Sequence, residues 1–407
     1  MSYQVALMGV SALIAIGILL HHPSRTLGIP SLLIFMGVGL ALGNGEFNFV
    51  YDDLGLTSLV GAIALNIIVF VGGLNTSTDS IKVAYREGGV LSSLGVVLTT
   101  VFFALILSQI FDISWVYCLL FAAVVSSTDA AAVFSILESK QLKLKEQTAT
   151  VLEFESATND PVALLLVVIL TEMALAPEAV YAASDMAMTL FMQISVAMIV
   201  AYLIGKLSVW LLNHIKLQEF GLIPIFILTT FILATYGSEM LGGNILLASY
   251  VVGVVIGNGI KRGKTVSIHF FNSVAWLAQA LMFIILGLQI FPGELVQVFW
   301  QSLLPAILLM LVARPLAVQI CYLFFPKASW KKRLFVSAIG LKGATPIVFA
   351  LIPAAAGVPH AMEIAHMVFF IVLLSIFIQG GAIDVLAKKL KLNIVPPQPG
   401  ADPANAN

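Results

Sequence analysis

The chain has 407 residues, 60% of them hydrophobic and only 10% charged, with a formal net charge of −1. Soluble domains carry about one-quarter charged residues, so this composition excludes a soluble globular protein and describes a chain that crosses a membrane many times. No nucleic-acid partner is expected.

A bilayer-spanning helix needs about 20 mostly apolar residues. The sequence divides into about thirteen such stretches: 3–20, 29–43, 56–74, 89–110, 114–137, 149–171, 186–212, 220–238, 244–259, 271–290, 296–324, 334–356 and 364–386. The first lacks a basic leader and a small-residue cleavage site, so it reads as a span and not as a cleaved signal. Cys118 and Cys321 both fall inside apolar spans, where a small polarizable packing residue is the plain reading.

The loops alternate in charge. Arg25, Lys82, Arg86, Lys140, Lys143, Lys145, Lys216, Lys261, Arg262, Lys264, the Lys327–Arg333 cluster and Lys388–Lys391 fall on one side. Glu46, Asp52, Asp53, Asp112, Glu172, Glu178, Asp185, Glu239, Glu294 and Glu363 fall on the other. With Lys206, 18 of the 20 Lys and Arg lie on one face and the remaining two inside spans. The positive-inside rule then places the N-terminus outside and the C-terminus in the cytoplasm.

An internal repeat organises these spans. LGIPSLLIFMGVGLALGNG from Leu27 aligns without gaps to LGGNILLASYVVGVVIGNG from Leu241, with 9 of 19 positions identical at an offset of 214. The same offset matches Gly73-Leu74-Asn75 to Gly287-Leu288-Gln289. A shift of seven spans reverses orientation, giving inverted-topology halves, a construction of many secondary transporters whose sites lie near the midplane at broken helices. The halves cover about 27–171 and 241–386, joined by a linker helix at about 186–212; the transmembrane domain spans 1–390, and 391–407 is a disordered cytoplasmic tail. Gly39 and Gly43, like Gly253 and Gly257, are four apart and form small-residue faces for close packing. The offset also sets Ser127-Thr128-Asp129-Ala130 against Leu341-Lys342-Gly343-Ala344, midway along the fifth and twelfth spans, where Gly343 and Pro346 interrupt the helix. Two broken helices crossing at the midplane are expected.

The chemistry concentrates in VLEFESATNDP, residues 151–161. Asp129, Glu155, Asp160, Arg314 and Lys342 are intramembrane charges, with Glu153 nearer the cytoplasmic end. At about 2.5–3.5 kcal/mol each, five unpaired charges would cost on the order of 10–15 kcal/mol, so they must be paired or hydrated around a polar cavity. Ser156 and Asp160, like Glu155 and Asn159, are four apart and form one patch. Oxygens of Asp160, Asp129, Ser156 and the Thr128 backbone suit potassium or sodium, hard cations that favour such ligands. A partly desolvated carboxylate can hold either a proton or a cation, and alternating access turns that competition into exchange. Arg314 and Lys342 are expected to balance Glu155 and Glu153. Gln279, Asn66 and Thr345 either line the cavity or bond between helices.

The runs TDAAAVFS at Thr128, LEFESATNDP at Leu152, ARPL at Ala313 and GLKGATP at Gly340 together resemble the monovalent cation:proton antiporter-1 branch of the cation/proton antiporter superfamily, in particular potassium(sodium)/proton antiporters of the NhaP2 type. The resemblance covers essentially the whole chain. It implies site roles for Thr128, Asp129, Glu155, Ser156, Asn159 and Asp160, a supporting role at Lys342, a homodimer in membrane lipid, and one-for-one electroneutral exchange from the Asn-Asp pair. Two departures stand out. Lys342 replaces the family's usual arginine and lacks its bidentate fork. NhaP2-type chains also often continue into a cytosolic domain, whereas this sequence ends in PPQPGADPANAN, which cannot bury a core; a naturally short chain and a removed domain both stay open.

The expectation is an all-α membrane protein of about 13 transmembrane helices with the sodium/proton antiporter fold, exchanging cytoplasmic potassium or sodium for external protons, without an enzymatic activity or a cofactor. A sodium-coupled solute symporter and a passive cation channel are the alternatives. An intramembrane hydrolase lacks the necessary triad or metal-ligand spacing.

Overall fold

The computed structural model describes residues 4, 8–9, 11–12, 14–15, 18–19, 31–43, 53–129, 142, 144–176, 183–215, 219, 221–289 and 292–394. Expected features at Arg25, Glu46, Asp52, Lys140, Lys143, Lys216, 130–137 and the Pro-rich tail lie outside them. Among the described residues all regular structure is helical, apart from one isolated antiparallel bridge between Leu144 and Asn393.

In chain order the helices are α1 (Ser31–Leu42), α2 (Leu54–Asn75), α3 (Thr78–Ile110), α4 (Trp115–Val124), α5 (Thr148–Leu175), α6 (Ala183–His214), α7 (Leu222–Met240), α8 (Ile245–Gly259) and α9 (Lys264–Leu288). They continue with α10 (Pro292–Leu308, running through a π turn at Leu309–Ala313 into Arg314–Cys321), α11 (Trp330–Ala338), α12 (Ala344–Ala355) and α13 (Ala361–Lys389). Among the described residues, eight helices are long and apolar enough to cross a membrane; α4, α8 and α12 are shorter apolar helices.

Helix α3 begins eleven residues before the expected 89, with Lys82 and Arg86 on its first turns instead of in a loop. The reason is local: the Ser77 hydroxyl caps the Ser80 amide and Asp79 sits in the first turn, where an acid favours the helix dipole. The expected twelfth span is split into α11 and α12 by the non-helical segment 339–343. Pro346 falls in the first turn of α12, where its missing N–H is harmless.

The repeat is visible as a reciprocal packing. A Cβ on Gly39 of α1 would collide with the backbone of Ile284 and Gly287 in α9, and one on Gly287 would collide with Met36 and Leu40. At the offset of 214, Gly253 of α8 lies equally close to Phe70 and Leu74 of α2, and Gly73 of α2 to Tyr250 and Val254. Each half therefore presses its small-residue face onto the other half's helix, backbone against backbone. Polar pairs tie α2 to α9 as well: Asn75 donates to Asn272 at 2.9 Å, and Thr57 donates to Gln289, just past α9, at 3.0 Å.

A side chain at these glycines would have to separate two helices, a form of overpacking that costs about 1–3 kcal/mol or more. Gly39→Ala should lower the thermal midpoint of the detergent-solubilised protein. Gly37→Ala, on the same helix but with nothing within 4 Å of its added methyl, should leave it unchanged; equal midpoints for the two variants would refute the packing argument.

Candidate ion-binding site

Helix α5 carries most of the site. Glu155, Ser156, Asn159 and Asp160 are all buried despite their polarity, with 0–6% relative exposure. The i, i+4 spacing sets Ser156 beside Asp160 and Glu155 beside Asn159. Pro161 lies inside the helix and has no N–H to offer the Ala157 carbonyl. Ala157 faces the cavity described below.

Against this patch lies the break after α4. Helical geometry ends at Val124, and Ser127, Thr128 and Asp129 run without regular structure to the limit of the described segment. This irregular backbone meets the 339–343 break directly: the Asp129 amide donates to the Leu341 carbonyl at 2.8 Å. The Ser127 hydroxyl donates to the Asp160 carboxylate. The Asn159 amide donates to the Thr128 hydroxyl at 2.6 Å, and that hydroxyl lies 2.9 Å from Ser156 Oγ. Thr345 also hydrogen-bonds Asp160. A Cβ on Gly343 would overlap the Asp129 carboxylate, so the close approach of the two breaks requires glycine there.

Four side chains satisfy the backbone groups that the breaks expose, as they must where no water is at hand. Lys342 Nζ donates to the carbonyls of Ser126 and Ser127 at 3.1 and 2.7 Å, just past the end of α4. At the end of α11, Gln379 donates to the Ala338 carbonyl at 2.9 Å and Arg314 to the Ile339 carbonyl at 3.1 Å. Ser375 Oγ accepts the Lys342 amide at 2.9 Å and donates to Gln379 Oε1 at 2.6 Å. Arg314 and Gln379 sit on or beside π turns, at Leu309–Ala313 and Ile376–Gly380. The first has a local cause: Pro315 has no N–H for the Leu311 carbonyl, so the regular ladder fails one turn earlier.

The charges divide unequally. Arg314 and Glu155 form a buried ion pair at 3.3 Å, and a Cβ on Gly340 would strike the guanidinium. Lys342, expected to share the balancing of Glu155 and Glu153, instead holds the carbonyls at the end of α4. Glu153 is half-buried and stands apart from the Arg314 pair, with no ion pair among the described residues. Asp160 likewise has no ion-pair partner among them. A cavity of about 460 Å³ adjoins Asp160, Asp129, Ser156 and Glu153. Gln279 and Thr345 line it, whereas Asn66 accepts a hydrogen bond from Ser249 at 3.2 Å and works between helices.

This arrangement presents hydroxyl and carboxylate oxygens from two helices to a cavity at a double break. A sequence profile described as the transmembrane sodium/hydrogen exchanger matches residues 10–389. The chain belongs to the sodium/hydrogen exchanger family. The exchanger is 37% identical over 95% of its length to the K(+)/H(+) antiporter NhaP2 of Shewanella sp. (strain MR-4), covering 67% of that protein. It is 34% identical over 98% of its length to the K(+)/H(+) antiporter NhaP of Alkalimonas amylolytica, covering 69% of it. The structure of the sodium proton antiporter MjNhaP1 from Methanocaldococcus jannaschii superposes with a TM-score of 0.83 at 21% identity, over 96% of this chain and 99% of that one. The exchanger therefore has the sodium/proton antiporter fold, and it is a multi-pass secondary transporter for cation/proton antiport, not an enzyme.

Sequence reasoning missed Ser127, Ser375 and Gln379. The last two carried a readable signal, two polar residues four apart in an otherwise apolar span. Ser127 carried none beyond its place next to Thr128.

Breaking a buried ion pair costs about 3–5 kcal/mol because it strands a charge. Arg314→Met should accordingly destabilise the exchanger by about that much in thermal or chemical unfolding. The double variant Glu155→Gln/Arg314→Met should lose clearly less than the sum of its single changes; strict additivity would show that the two groups are not coupled.

Proposed function

We propose that this antiporter exchanges cytoplasmic potassium, with sodium as the second candidate, for external protons, one for one. The observation that carries the reading is the unequal division of charge. Glu155 is neutralised by Arg314, which leaves the Asp160 carboxylate without an ion-pair partner among the described residues. One potassium ion or one proton restores neutrality, so the two compete for the same place. Asp160 is the main carrier of both. Asp129, Ser156 and Thr128 supply further oxygens for a bound cation, and Asn159 holds Thr128 in position. The names of the relatives as K(+)/H(+) antiporters favour potassium.

Alternating access follows from moving the broken helices and α5, with α13, against the remaining helices, which form a dimer interface in a bacterial inner membrane. The transmembrane antiporter domain of 1–390 comprises both units. The cavity reaches Asn75 at the end of α2 and Asn272 near the start of α9. These ends adjoin Lys82, Arg86, Lys261, Arg262 and Lys264. By the positive-inside rule that face is cytoplasmic, so the C-terminus lies inside, the N-terminus outside, and the cavity opens inward.

In everted membrane vesicles, adding potassium should dissipate an imposed pH gradient for the wild type, and Asp160→Asn should abolish the response. Unchanged proton-coupled flux in the variant would refute the assignment. With the protein on a solid-supported membrane, a potassium jump should produce proton flux without net charge movement; a sustained current would exclude one-for-one exchange.

A further inference from the structure

Glu153 is the one carboxylate of the α5 stretch that neither the fold nor the exchange reaction uses. It lies seven residues before Asp160, about 10 Å along the helix at 1.5 Å per residue. Residues 153, 157 and 160 recur at i, i+4 and i+7, share one helix face, and all three line the cavity. Glu155 belongs to the separate pair with Arg314. Glu153 therefore stands on the wall that an ion must pass between the mouth at Asn75 and Asn272 and the carboxylate at Asp160.

A second feature faces it. Tyr250 of α8 is buried, with 6% relative exposure. Its hydroxyl is turned to the Thr76 side chain, and Glu153 lies within electrostatic reach of it. Thr76 is on the cavity wall as well. A half-buried carboxylate with no ion pair among the described residues is costly in a low-dielectric cleft. An all-oxygen set with a single carboxylate matches the charge and hardness of a monovalent cation.

We propose that Glu153 is the first ligand of the transported cation. With Tyr250 and Thr76 it forms an entry site, from which the ion passes along the α5 face to Asp160. This role rests on the antiport reading and adds a residue that sets how strongly cytoplasmic cation is captured, as distinct from how fast captured ion is exchanged. A carboxylate in a cleft raises the local concentration of counter-ions, and its effect is screened by salt.

The test uses the full chain in proteoliposomes, with initial rates of pH-gradient dissipation followed over a range of potassium concentrations. Glu153→Gln should raise KM about threefold to tenfold at low ionic strength while keeping the maximal rate within about twofold. The shift should shrink when choline chloride is added, a response that a purely structural role would not produce. Glu153→Asp should restore KM, and Tyr250→Phe should raise it by a smaller factor, which separates loss of a ligand from loss of folding. Asp160→Asn serves as the contrast, losing the maximal rate itself. An unchanged KM in Glu153→Gln, or a fall in maximal rate at constant KM, overturns the proposal. Absence of potassium- or sodium-dependent flux in the wild type would instead overturn the antiport reading on which it stands.

Discussion

The ammonium group of Lys342 lies against the carbonyls of Ser126 and Ser127, and the rest of the site depends on that contact. Irregular backbone deep in a membrane is tolerated only where its polar groups are satisfied internally. Here each break supplies what the other lacks. The 339–343 segment contributes the Lys342 side chain and the Leu341 carbonyl, and the segment after α4 contributes two carbonyls and the Asp129 amide. Because the backbone is held in this way, Ser127 and Thr128 can turn their side chains to α5.

The substitution of lysine for the arginine expected from the family resemblance takes on a physical meaning in this geometry. An ammonium group is compact, with three donors that can reach separate acceptors, and two carbonyls one residue apart are such acceptors. The planar fork that suits a carboxylate is placed elsewhere, at Arg314, where it meets Glu155 and also donates to the Ile339 carbonyl. Two basic side chains thus hold the two breaks, Arg314 neutralises Glu155, and Asp160 has no ion-pair partner among the described residues.

The scaffold around this site depends on an unusual closeness of helices. Hydrocarbon offers no hydrophobic drive for helix association, so packing and small residues carry it. The reciprocal glycine contacts of α1 with α9 and of α2 with α8 do this twice, once for each half of the repeat. The cavity lies where α2 and α9 approach α5, so its walls belong to tightly joined helices on one side and to the polar patch on the other. A rigid wall facing an internally satisfied double break is the arrangement that alternating access requires.

Much of this was determined by the sequence itself. The spans, the inverted repeat, the interruption at Gly343 and the face shared by Ser156 with Asp160 follow from apolar length, an offset of 214 and helical spacing, which are local or periodic properties of the chain. Tertiary structure decided the partners. No spacing rule says that Ser127 bonds Asp160, that Gln379 and Arg314 take the carbonyls at the end of α11, or that Lys342 serves backbone where a carboxylate was expected. Those contacts join residues 25 to 216 positions apart. Burying a charge demands a partner without naming one, and only the three-dimensional crossing of the broken helices selects it.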